Sequence, residues 1–315
     1  MSLPGLGLAE MRRSVGGWWD SDLAYRFRRS PVAILAALVG LALLVAALGA
    51  PVLAPYDAFD PAAANAADAR LPPGSAGMFG DPYLLGTDPQ GRDMLSAMLY
   101  GLRTSLVVGL ASVAAAAVVG VLLGLVAGYF GGVLDAVIMR AADVQLSFPA
   151  ILIALLIDGV TRTAMPRELH QELAVPILIA AIAASFWVQY ARTVRGLVLV
   201  ERGREYVLAA KVTGVSTWRI LASHILPNVL GPVLVIATIN LALAILTEST
   251  LSFLGVGLPP TQPSLGSLVR IGNEFVFSGD WWISVLPGLL LVLLSLSVNI
   301  FGDWLRDALN PKLAS

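Results

Sequence analysis

The sequence predicts an all-α polytopic membrane protein with six transmembrane helices, and composition and charge spacing support this. Apolar residues make up 57% of the 315 residues, charged residues make up only 13%, and the mean hydropathy is +0.80. A soluble domain carries about 25% charged residues. Charges also divide the chain into apolar blocks near or above the roughly 20 residues that a spanning helix needs. These blocks are residues 32–50, 104–134, 137–157, 173–191, 220–247 and 281–302.

The third block is the least regular. Arg140 and Asp143 lie in its first two turns, and Pro149 lies further along. A charge at mid-bilayer costs about 2.5 to 3.5 kcal/mol, whereas at an interface an Arg can extend to water and pair with an acid at i,i+3. We therefore expect this span to begin at an interface and to break at Pro149. Residues 158–172, which follow, are predicted to form a short external loop.

The basic residues predict the orientation. With a cytoplasmic amino terminus and six crossings, most of the 20 Lys and Arg residues lie inside. Positive residues concentrate in cytoplasmic segments, so both termini are predicted to be cytoplasmic. The expected organisation is a cytoplasmic segment with an interfacial helix (1–30), a transmembrane domain (31–310) and a cytoplasmic tail (311–315). The transmembrane domain is expected to contain an external loop (51–98) and a cytoplasmic loop (196–226).

A helix is predicted to start before the second span. Thr87 and Gln90 have capping-box spacing, and Asp88 is an alternative cap because a proline follows it at the first helical position. The segment 92–103 carries three charged residues ahead of the apolar run. We therefore expect this helix to lie along the outer interface before the chain turns into the membrane.

The second span carries a stripe of small residues at four-residue intervals: Ala116, Gly120, Gly124 and Gly128. Small residues let two helices approach closely in lipid, where there is no hydrophobic drive for their association. The stripe is equally suited to packing within the chain and to contact with a partner subunit, and the sequence leaves both uses open.

Glu248 is an acid between two apolar stretches, and the next charged residue is Arg270. An acid at membrane depth must face protein or water because exposure to lipid is costly, which makes Glu248 a candidate for a pathway or gating role. The alternative is that Glu248 lies at the outer end of its span in a structural hydrogen-bonding cluster with Ser249 and Thr250. Both interpretations stay open at this point.

No catalytic residues and no metal site are predicted. The chain has no Cys, which removes disulfides and thiolate metal sites. Neither Lys211 nor Lys312 belongs to a Gly-Lys-Ser/Thr phosphate loop, and there is no His-Glu-x-x-His or Gly-x-Ser-x-Gly motif. With a net charge of −1 and no basic stripe, nucleic-acid binding is not expected. If the chain transports a solute, the energy is expected to come from another polypeptide.

The stretch "EYVLAAKVTGVSTWRILASHILPN" is a polar island between two apolar blocks. Residues 205–213 are predicted to form a helix that ends at Gly214, a residue suited to the positive φ of a helix end. A second helix, capped by Ser216 or Thr217, is expected to run to the residue before Pro227, which interrupts the hydrogen-bond ladder. The product is a helix, a bend and a helix at the cytoplasmic surface.

This bent element has the composition of a docking surface. Small residues at Ala209, Ala210 and Gly214 let a partner approach its exposed side closely. Apolar contact is expected from Tyr206, Val207, Val212 and Trp218. Taken alone, the element is equally a plain connection between two spans.

The residues of this element resemble a known family. "AAKVTG", followed after a fixed gap by "HILPN", resembles the Glu-Ala-Ala loop of ABC importer permeases, with Leu208 at the usual Glu position and His224 at the usual Ile position. Neither departure is unusual in the dipeptide/oligopeptide/nickel subfamily. Four further stretches are similar to that subfamily, in particular to its C-type permease, and carry the resemblance from residue 84 to 313: "LGTDPQGRDMLSAMLYGLRTSL", "DVQLSFP", "ESTLSFLGVGLPPTQPSLG" and "GDWLRDALNPKL".

The resemblance implies a type I ABC importer permease fold in the bacterial inner membrane. It implies a heterodimer with a second permease subunit, two ATP-binding subunits that hold the ATP and Mg²⁺, and an extracytoplasmic substrate-binding protein. The chain itself would carry no cofactor and would not be an enzyme. The element that couples to the ATPase would consist of Glu205, Tyr206, Ala209, Ala210, Gly214 and Pro227.

The resemblance also bears on the substrate. Di- or oligopeptides are the expected cargo, and nickel chelates or glutathione are alternatives within the same architecture. A secondary transporter would need inverted repeats and several ion-binding acids at the midplane. We find no internal repeat, and Glu248 is the one candidate acid, so this alternative is disfavoured.

Overall fold

The computed structural model describes residues 22–57, 65–80, 82–259 and 262–309. Residues 1–21 of the amino-terminal segment and the predicted tail 311–315 lie outside the described residues, and a short helix is described at the end of that segment, where an interfacial helix is predicted. The described helices are α1 (Asp22–Arg28), α2 (Pro31–Leu48), α3 (Ala50–Leu53), α4 (Met94–Phe130), α5 (Gly132–Leu146), α6 (Ala150–Ala164), α7 (Arg167–Glu172), α8 (Ala174–Glu201), α9 (Glu205–Val212), α10 (Thr217–Ile220), α11 (Leu226–Phe253), α12 (Leu265–Asn273) and α13 (Trp282–Leu309).

Among the described residues, five helices are long and apolar enough to cross a membrane: α2, α4, α8, α13 and the continuous helix Thr217–Phe253 that includes α10 and α11. Helices α5 and α6 pass the same test together but meet at an angle of 93°. Counted as one broken span, they bring the total to the predicted six. The predicted break at Pro149 is confirmed, because α5 ends at Leu146 and α6 begins just after Pro149. Faces are named below by the predicted orientation.

The predicted external loop at residues 158–172 is wrong. Helix α6 continues to residue 164, and only Met165 and Pro166 separate it from α7. Asp158 did not mark the end of a span because its carboxylate is buried and accepts a hydrogen bond from Arg162 Nε at 2.5 Å, one helical turn further on. Helix α6 ends where Met165 takes an extended conformation, as expected for the residue before a proline.

Helix α4 begins later than predicted and does not turn at the interface. Its cap is Asp93, whose carboxylate accepts a hydrogen bond from the Ser96 amide at 2.8 Å. From Met94 it runs through 37 residues without a break, so the expected separate interfacial helix is wrong. At about 1.5 Å per residue this helix is on the order of 55 Å long, well beyond the roughly 30 Å of a hydrocarbon core. The helix is therefore longer than a hydrocarbon core is thick, and its first turns are continuous with the apolar run.

The residues proposed as caps of that helix fold the preceding loop instead. The Thr87 hydroxyl donates to the Asp68 carbonyl at 2.5 Å and accepts from the Leu71 amide at 2.8 Å. The Asp88 carboxylate accepts from the Gln90 amide at 2.8 Å, closing a turn before the helix starts. These long-range partners explain the error, since capping-box spacing alone does not show which amides are free.

The predicted external loop contains ordered structure around a buried carboxylate. Strands β1 (Ser75–Ala76) and β2 (Pro82–Tyr83) form an antiparallel pair. Asp68 is buried beside them and accepts from the Met78 amide at 2.7 Å. Trp282 Nε1, at the start of α13, donates to the Thr87 carbonyl at 3.2 Å. The loop is thereby attached to the outer end of the last span.

The stripe of small residues packs inside the chain, against α8. A methyl group at Gly120 would lie 2.4 Å from the Trp187 carbonyl oxygen, and one at Gly124 would lie 2.6 Å from the Ala191 carbonyl oxygen. Such distances are impossible for a real side chain, so the two helices touch backbone to backbone. The contact continues to Gly128, and the residues of α8 beside it are part of the largest buried cluster of the chain. The structure thus assigns the stripe to packing within the chain.

Candidate functional site

The predicted helix and bend between the fourth and fifth spans are confirmed, and the predicted orientation puts them on the cytoplasmic side. Helix α9 covers residues 205–212, and Gly214 follows with a φ of 78°. The Val215 amide donates to the Ala210 carbonyl at 3.0 Å, and the Gly214 amide donates to the Lys211 carbonyl at 3.1 Å. This pair of bonds is the Schellman motif, which satisfies the last carbonyls of a helix and needs a residue that tolerates positive φ. A methyl group at Gly214 would meet no atom within 4 Å, so conformation alone requires the glycine here.

The second helix of the bend does not stop at Pro227, contrary to the prediction. Helix α10 passes through a π-helical turn, Leu221–Ile225, and then into α11 without a break. Ser216 precedes α10, but its side chain makes no capping hydrogen bond. Pro227 lies in the first turn of α11, where its missing N–H is least costly. The π-helical turn before it accommodates the change in the backbone hydrogen-bond pattern. The bend is therefore joined directly to the span that carries Glu248.

Helix α9 is anchored to the membrane helices by its inner face. Val207 is fully buried and Ala210 is 8% exposed, and both belong to the main hydrophobic cluster. The placement of Val207 and Ala210 on the outward surface is wrong: Ala210 lies three residues after Val207, on the same helical face, and both turn inward. Ala209 and Gly214 are exposed as predicted.

Tyr206 links the bend to both neighbouring spans. Its hydroxyl donates to Glu201 Oε2 at 2.5 Å, at the end of α8, and accepts from Asn228 Nδ2 at 2.9 Å, in the first turn of α11. Partial burial, and next the hydrogen bond to Glu201, raise the pKa of Tyr206 above its ordinary value, so the phenol stays protonated at neutral pH. Tyr206 was predicted as an apolar contact and as part of the coupling element. Its partners Glu201 and Asn228 were missed, because no local spacing indicates this three-helix contact.

The outward face of the bend is apolar, and its small residues leave part of the backbone accessible. Leu208 is 48% exposed, Val212 89% and Trp218 69%. Glu205, Ala209 and Val212 lie on the same side of α9 as Leu208 by helical spacing. Large exposed apolar residues outside the lipid-facing helices indicate a contact with another protein. We call this surface the cytoplasmic patch and define it as Leu208, Ala209, Val212, Gly214 and Trp218.

Glu248 lies in a buried hydrogen-bonded cluster. Its side chain is fully buried, and its carboxyl oxygens accept from Ser252 Oγ at 2.7 Å, Ser105 Oγ at 2.8 Å and Ser249 Oγ at 3.2 Å. Ser105 in turn accepts from the amide of Leu265, the first residue of α12, at 3.3 Å. The cluster therefore joins α4, α11 and the beginning of α12.

This geometry matches the structural alternative for Glu248, with one change of partner. Thr250 is exposed, and its hydroxyl donates to the Leu246 carbonyl at 2.7 Å instead of reaching the carboxylate. Ser105 and Ser252 take its place, and Ser252 lies one turn after Glu248 on the same face. Ser105 belongs to another helix, so local sequence could not identify it. The role of Glu248 as a gate stays a prediction.

Two family descriptions match the chain. Residues 120–315 match the inner membrane component of binding-protein-dependent transport systems. Residues 18–73 match the N-terminal transmembrane domain of oligopeptide transport permease C. Together the two matches include the cytoplasmic bend, Glu248 and the first span.

Curated relatives are similar over nearly the whole chain. The dipeptide transport system permease protein DppC of Haemophilus influenzae is 38% identical, over 88% of this chain and 90% of the relative. The di/tripeptide transport system permease protein DppC of Pseudomonas aeruginosa is 36% identical, over 94% of this chain and 91% of the relative. The probable D,D-dipeptide transport system permease protein DdpC of Escherichia coli is 35% identical, over 93% and 91%.

A solved structure has the same fold. An inward-facing structure of the MetNI methionine ABC transporter matches with a TM-score of 0.53 at 19% identity, covering 69% of this chain and 98% of that chain. The likeness confirms the predicted type I ABC importer permease fold. The chain therefore belongs to the membrane-spanning permeases of binding-protein-dependent ABC importers, in the group of the oligopeptide permease C proteins.

Proposed function

We propose that this chain forms half of the translocation pathway of an ATP-driven peptide importer and that its cytoplasmic patch docks an ATP-binding subunit. The observation that carries the proposal is the patch itself. It is apolar and exposed, yet it lies on a bend held by a Schellman motif, a buried inner face and the Tyr206 hydrogen bonds. A rigid, exposed apolar surface is suited to transmit force from a docked subunit.

The proposed assembly has five components. A second, similar permease completes the pathway, two ATP-binding subunits hold ATP and Mg²⁺, and an extracytoplasmic protein delivers the substrate. The chain is placed in the bacterial inner membrane with both termini in the cytoplasm. It acts as a transport subunit without a cofactor or a catalytic residue of its own.

In this proposal, ATP binding changes the pathway by moving a helix that runs from the patch to the outer side. Because α10, the π-helical turn and α11 are continuous, a displacement of the docked patch moves the whole helix Thr217–Phe253. Glu248 is near the outer end of this helix, on the order of 45 Å from its start at about 1.5 Å per residue. Coupling of this kind is a free energy shared between two sites, so it requires the contact at the patch to remain stiff.

Glu248 is proposed to influence the pathway indirectly, through the hydrogen bonds that join three helices. It holds the start of α12 against α4 and α11 through Ser105, and a shift of α11 would strain these hydrogen bonds. In this proposal the carboxylate responds to the movement of its helix and does not contact the substrate.

Peptides are the proposed substrate class. The three relatives described above are named for dipeptide or di/tripeptide transport, and each covers most of this chain. Nickel chelates or glutathione remain the alternative within the same architecture.

The test is Gly214→Trp in the reconstituted importer. A tryptophan strains the left-handed backbone and raises a bulky ring on the patch, so we expect ATP turnover to lose its stimulation by the loaded binding protein and uptake to cease. Gly214→Asn is the matched control, because Asn tolerates positive φ and adds little bulk. Normal stimulation and uptake with Gly214→Trp would contradict the proposal.

A second variant covers the case in which Gly214→Trp fails to assemble. Val212→Asp places a charge on a side chain that is 89% exposed, so the chain itself should fold normally. We expect the purified Val212→Asp permease to melt at the wild-type temperature but to bind the ATP-binding subunit at least about tenfold more weakly, as burial of an unpaired charge is costly. Unchanged binding would place the docking surface elsewhere.

A further inference from the structure

The outer end of the molecule contains a cavity of about 460 Å³ that the proposed function does not use. Arg162, Arg167, His170 and Arg270 line it together with the backbone of residues 255–259, and we call it the basic pocket. It lies at the opposite end of the molecule from the cytoplasmic patch. Helix α8 begins beside it and ends next to α9, and α11 begins near the bend and ends just before Gly255. The pocket therefore opens on the face where an extracytoplasmic protein delivers its cargo.

The basic pocket has an excess of positive charge. Asp158 is buried at its edge, where it accepts from Arg162 Nε at 2.5 Å, and its other oxygen lies 3.4 Å from His170 Nε2. In the part of the chain that the structure describes, neither Arg167 nor Arg270 has an ion pair with an acidic side chain. The carboxylate of Asp158 is thus engaged with Arg162 and His170, and among the described residues it leaves the charges of Arg167 and Arg270 unbalanced by an ion pair.

The three guanidinium groups come from separate helices, and two of them, those of Arg162 and Arg270, approach the same backbone position at Gly255. Arg162 Nη2 lies 3.4 Å from the Gly255 carbonyl oxygen. Arg270 Nη1 lies 2.8 Å from the place that a methyl group at Gly255 would occupy, so only glycine lets it approach so closely. Converging like charges repel each other unless an anion lies between them. The arrangement is therefore suited to a ligand that brings negative charge.

The volume of the pocket and the geometry of its guanidinium groups narrow the class of ligand that it can bind. A volume of about 460 Å³ is within the range of small-molecule sites, roughly 300 to 1,000 Å³. Planar guanidinium groups match the two oxygens of a carboxylate, and their hydrogen bonds to it are among the strongest available to side chains. A peptide carries such a carboxylate at its terminus.

We propose that the basic pocket receives the terminal carboxylate of the peptide as it leaves the binding protein. This inference rests on the proposed function, because it assumes peptide cargo. Arg167 and Arg270 would bind the carboxylate, while Asp158 holds Arg162 and His170 in place behind them. The pocket would then select zwitterionic peptides over peptides whose terminus is uncharged.

The experiment compares Ala-Ala with Ala-Ala amide in the complete importer in proteoliposomes. Each peptide is supplied on binding protein that calorimetry shows to be saturated, so that the preference of the binding protein does not enter. The variants are Arg167→Gln, Arg270→Gln and the double variant. Glu168→Gln is the matched control, because it changes an exposed charge on α7 outside the pocket.

We expect the wild-type importer to take up Ala-Ala about tenfold faster than the amide, as charge-assisted hydrogen bonds would predict. The double variant should lose this preference by slowing Ala-Ala alone, each single variant should lose part of it, and Glu168→Gln should keep it. Equal uptake of both peptides by the wild type, or a preserved preference in the double variant, would overturn the assignment.

Two further outcomes separate the possible failures. If the double variant slows both peptides equally and weakens the stimulation of ATP turnover by the binding protein, the pocket docks an acidic side chain of that protein, and the carboxylate assignment is wrong. If the wild-type importer takes up neither peptide, the proposed peptide import is contradicted first, and the assignment of the pocket fails with it.

Discussion

Gly124 in the α4–α8 contact and Gly214 in the cytoplasmic bend are both required by the fold, for opposite reasons. At Gly124 the backbone has ordinary helical geometry, but a methyl group would lie 2.6 Å from the Ala191 carbonyl oxygen. At Gly214 a methyl group would meet nothing, and the requirement is the φ of 78°. One glycine makes room for another helix, and the other turns the chain and leaves open space beside it.

The same contrast holds for the regions around these glycines. In the membrane-spanning part, the unusual residues find partners within the chain: the glycines of α4 meet α8, and the Glu248 carboxyl meets three serines. On the cytoplasmic patch, Val212 and Trp218 remain exposed. Contacts within the chain indicate a role in stability, whereas an exposed apolar surface indicates a role in association. Substitutions in the membrane-spanning part should therefore change the melting temperature, and those on the patch should change the binding of a partner.

The largest effect on stability is expected from Gly124→Leu. The nearest atom is the Ala191 carbonyl oxygen of the α8 backbone, which cannot move aside, so overpacking should cost more than about 3 kcal/mol and leave little monodisperse permease after detergent extraction. Size-exclusion chromatography and the melting temperature measure this.

The matched control for that substitution is Gly196→Leu on α8 itself. No atom lies within 4 Å of a methyl group placed there, so the purified chain should melt at or above the wild-type temperature. If Gly124→Leu behaved like Gly196→Leu, the close contact of α4 with α8 would be wrong.

Glu248→Ala should have an intermediate effect. It removes the common acceptor of Ser105, Ser249 and Ser252 and leaves a small cavity, which should cost about 1 to 3 kcal/mol of stability. Glu248→Gln keeps the volume and one acceptor oxygen and should cost less. The measurements are the melting temperature and the uptake rate in proteoliposomes.

The two measurements on Glu248→Ala separate its possible roles. A lower melting temperature with unchanged uptake would support the cluster and rule out a gating role. An unchanged melting temperature would show that the hydrogen bonds seen around Glu248 do not stabilise the chain.

The smallest effect is expected from Tyr206→Phe, at about 0.5 to 1.5 kcal/mol for the lost hydrogen bonds to Glu201 and Asn228. Because the folded protein raises the pKa of Tyr206, the contribution of the phenol is complete below about pH 10 and is lost as the pH rises through the folded pKa. The difference in melting temperature from wild type should therefore be constant at neutral pH and shrink in strongly alkaline solution.

Tyr129→Phe is the control for that measurement. Tyr129 lies at the same end of the molecule, and its ring, 5.0 Å from the Lys211 ammonium group, keeps that contact as Phe. A larger destabilisation by Tyr129→Phe than by Tyr206→Phe would argue against the role of the Tyr206 hydroxyl in holding the bend.

Long-range and local signals differed in how much of this fold they predicted. Apolar length located the spans, Pro149 located the break in the third, and Gly214 located the bend, because each depends on a property of one short segment. The start of α4, the direction of Ala210 and the partners of Glu248 were wrong or missed. The start of α4 and the Ser105 contact of Glu248 depend on residues far away in the chain, as the Asp68 contact of Thr87 does, and the direction of Ala210 depends on which face of α9 packs against the spans.

By itself, then, the sequence determined the helical membrane fold, the bent element and the family, since hydrophobic length, backbone conformational preference and short motifs are local properties. Only the tertiary structure decided that the glycines of α4 pack against α8 and that Glu248 is enclosed by serines from two helices. It also decided that arginines of α6, α7 and α12 line one pocket. The physical reason is that helix packing brings together side chains whose spacing along the chain carries no sign of their contact.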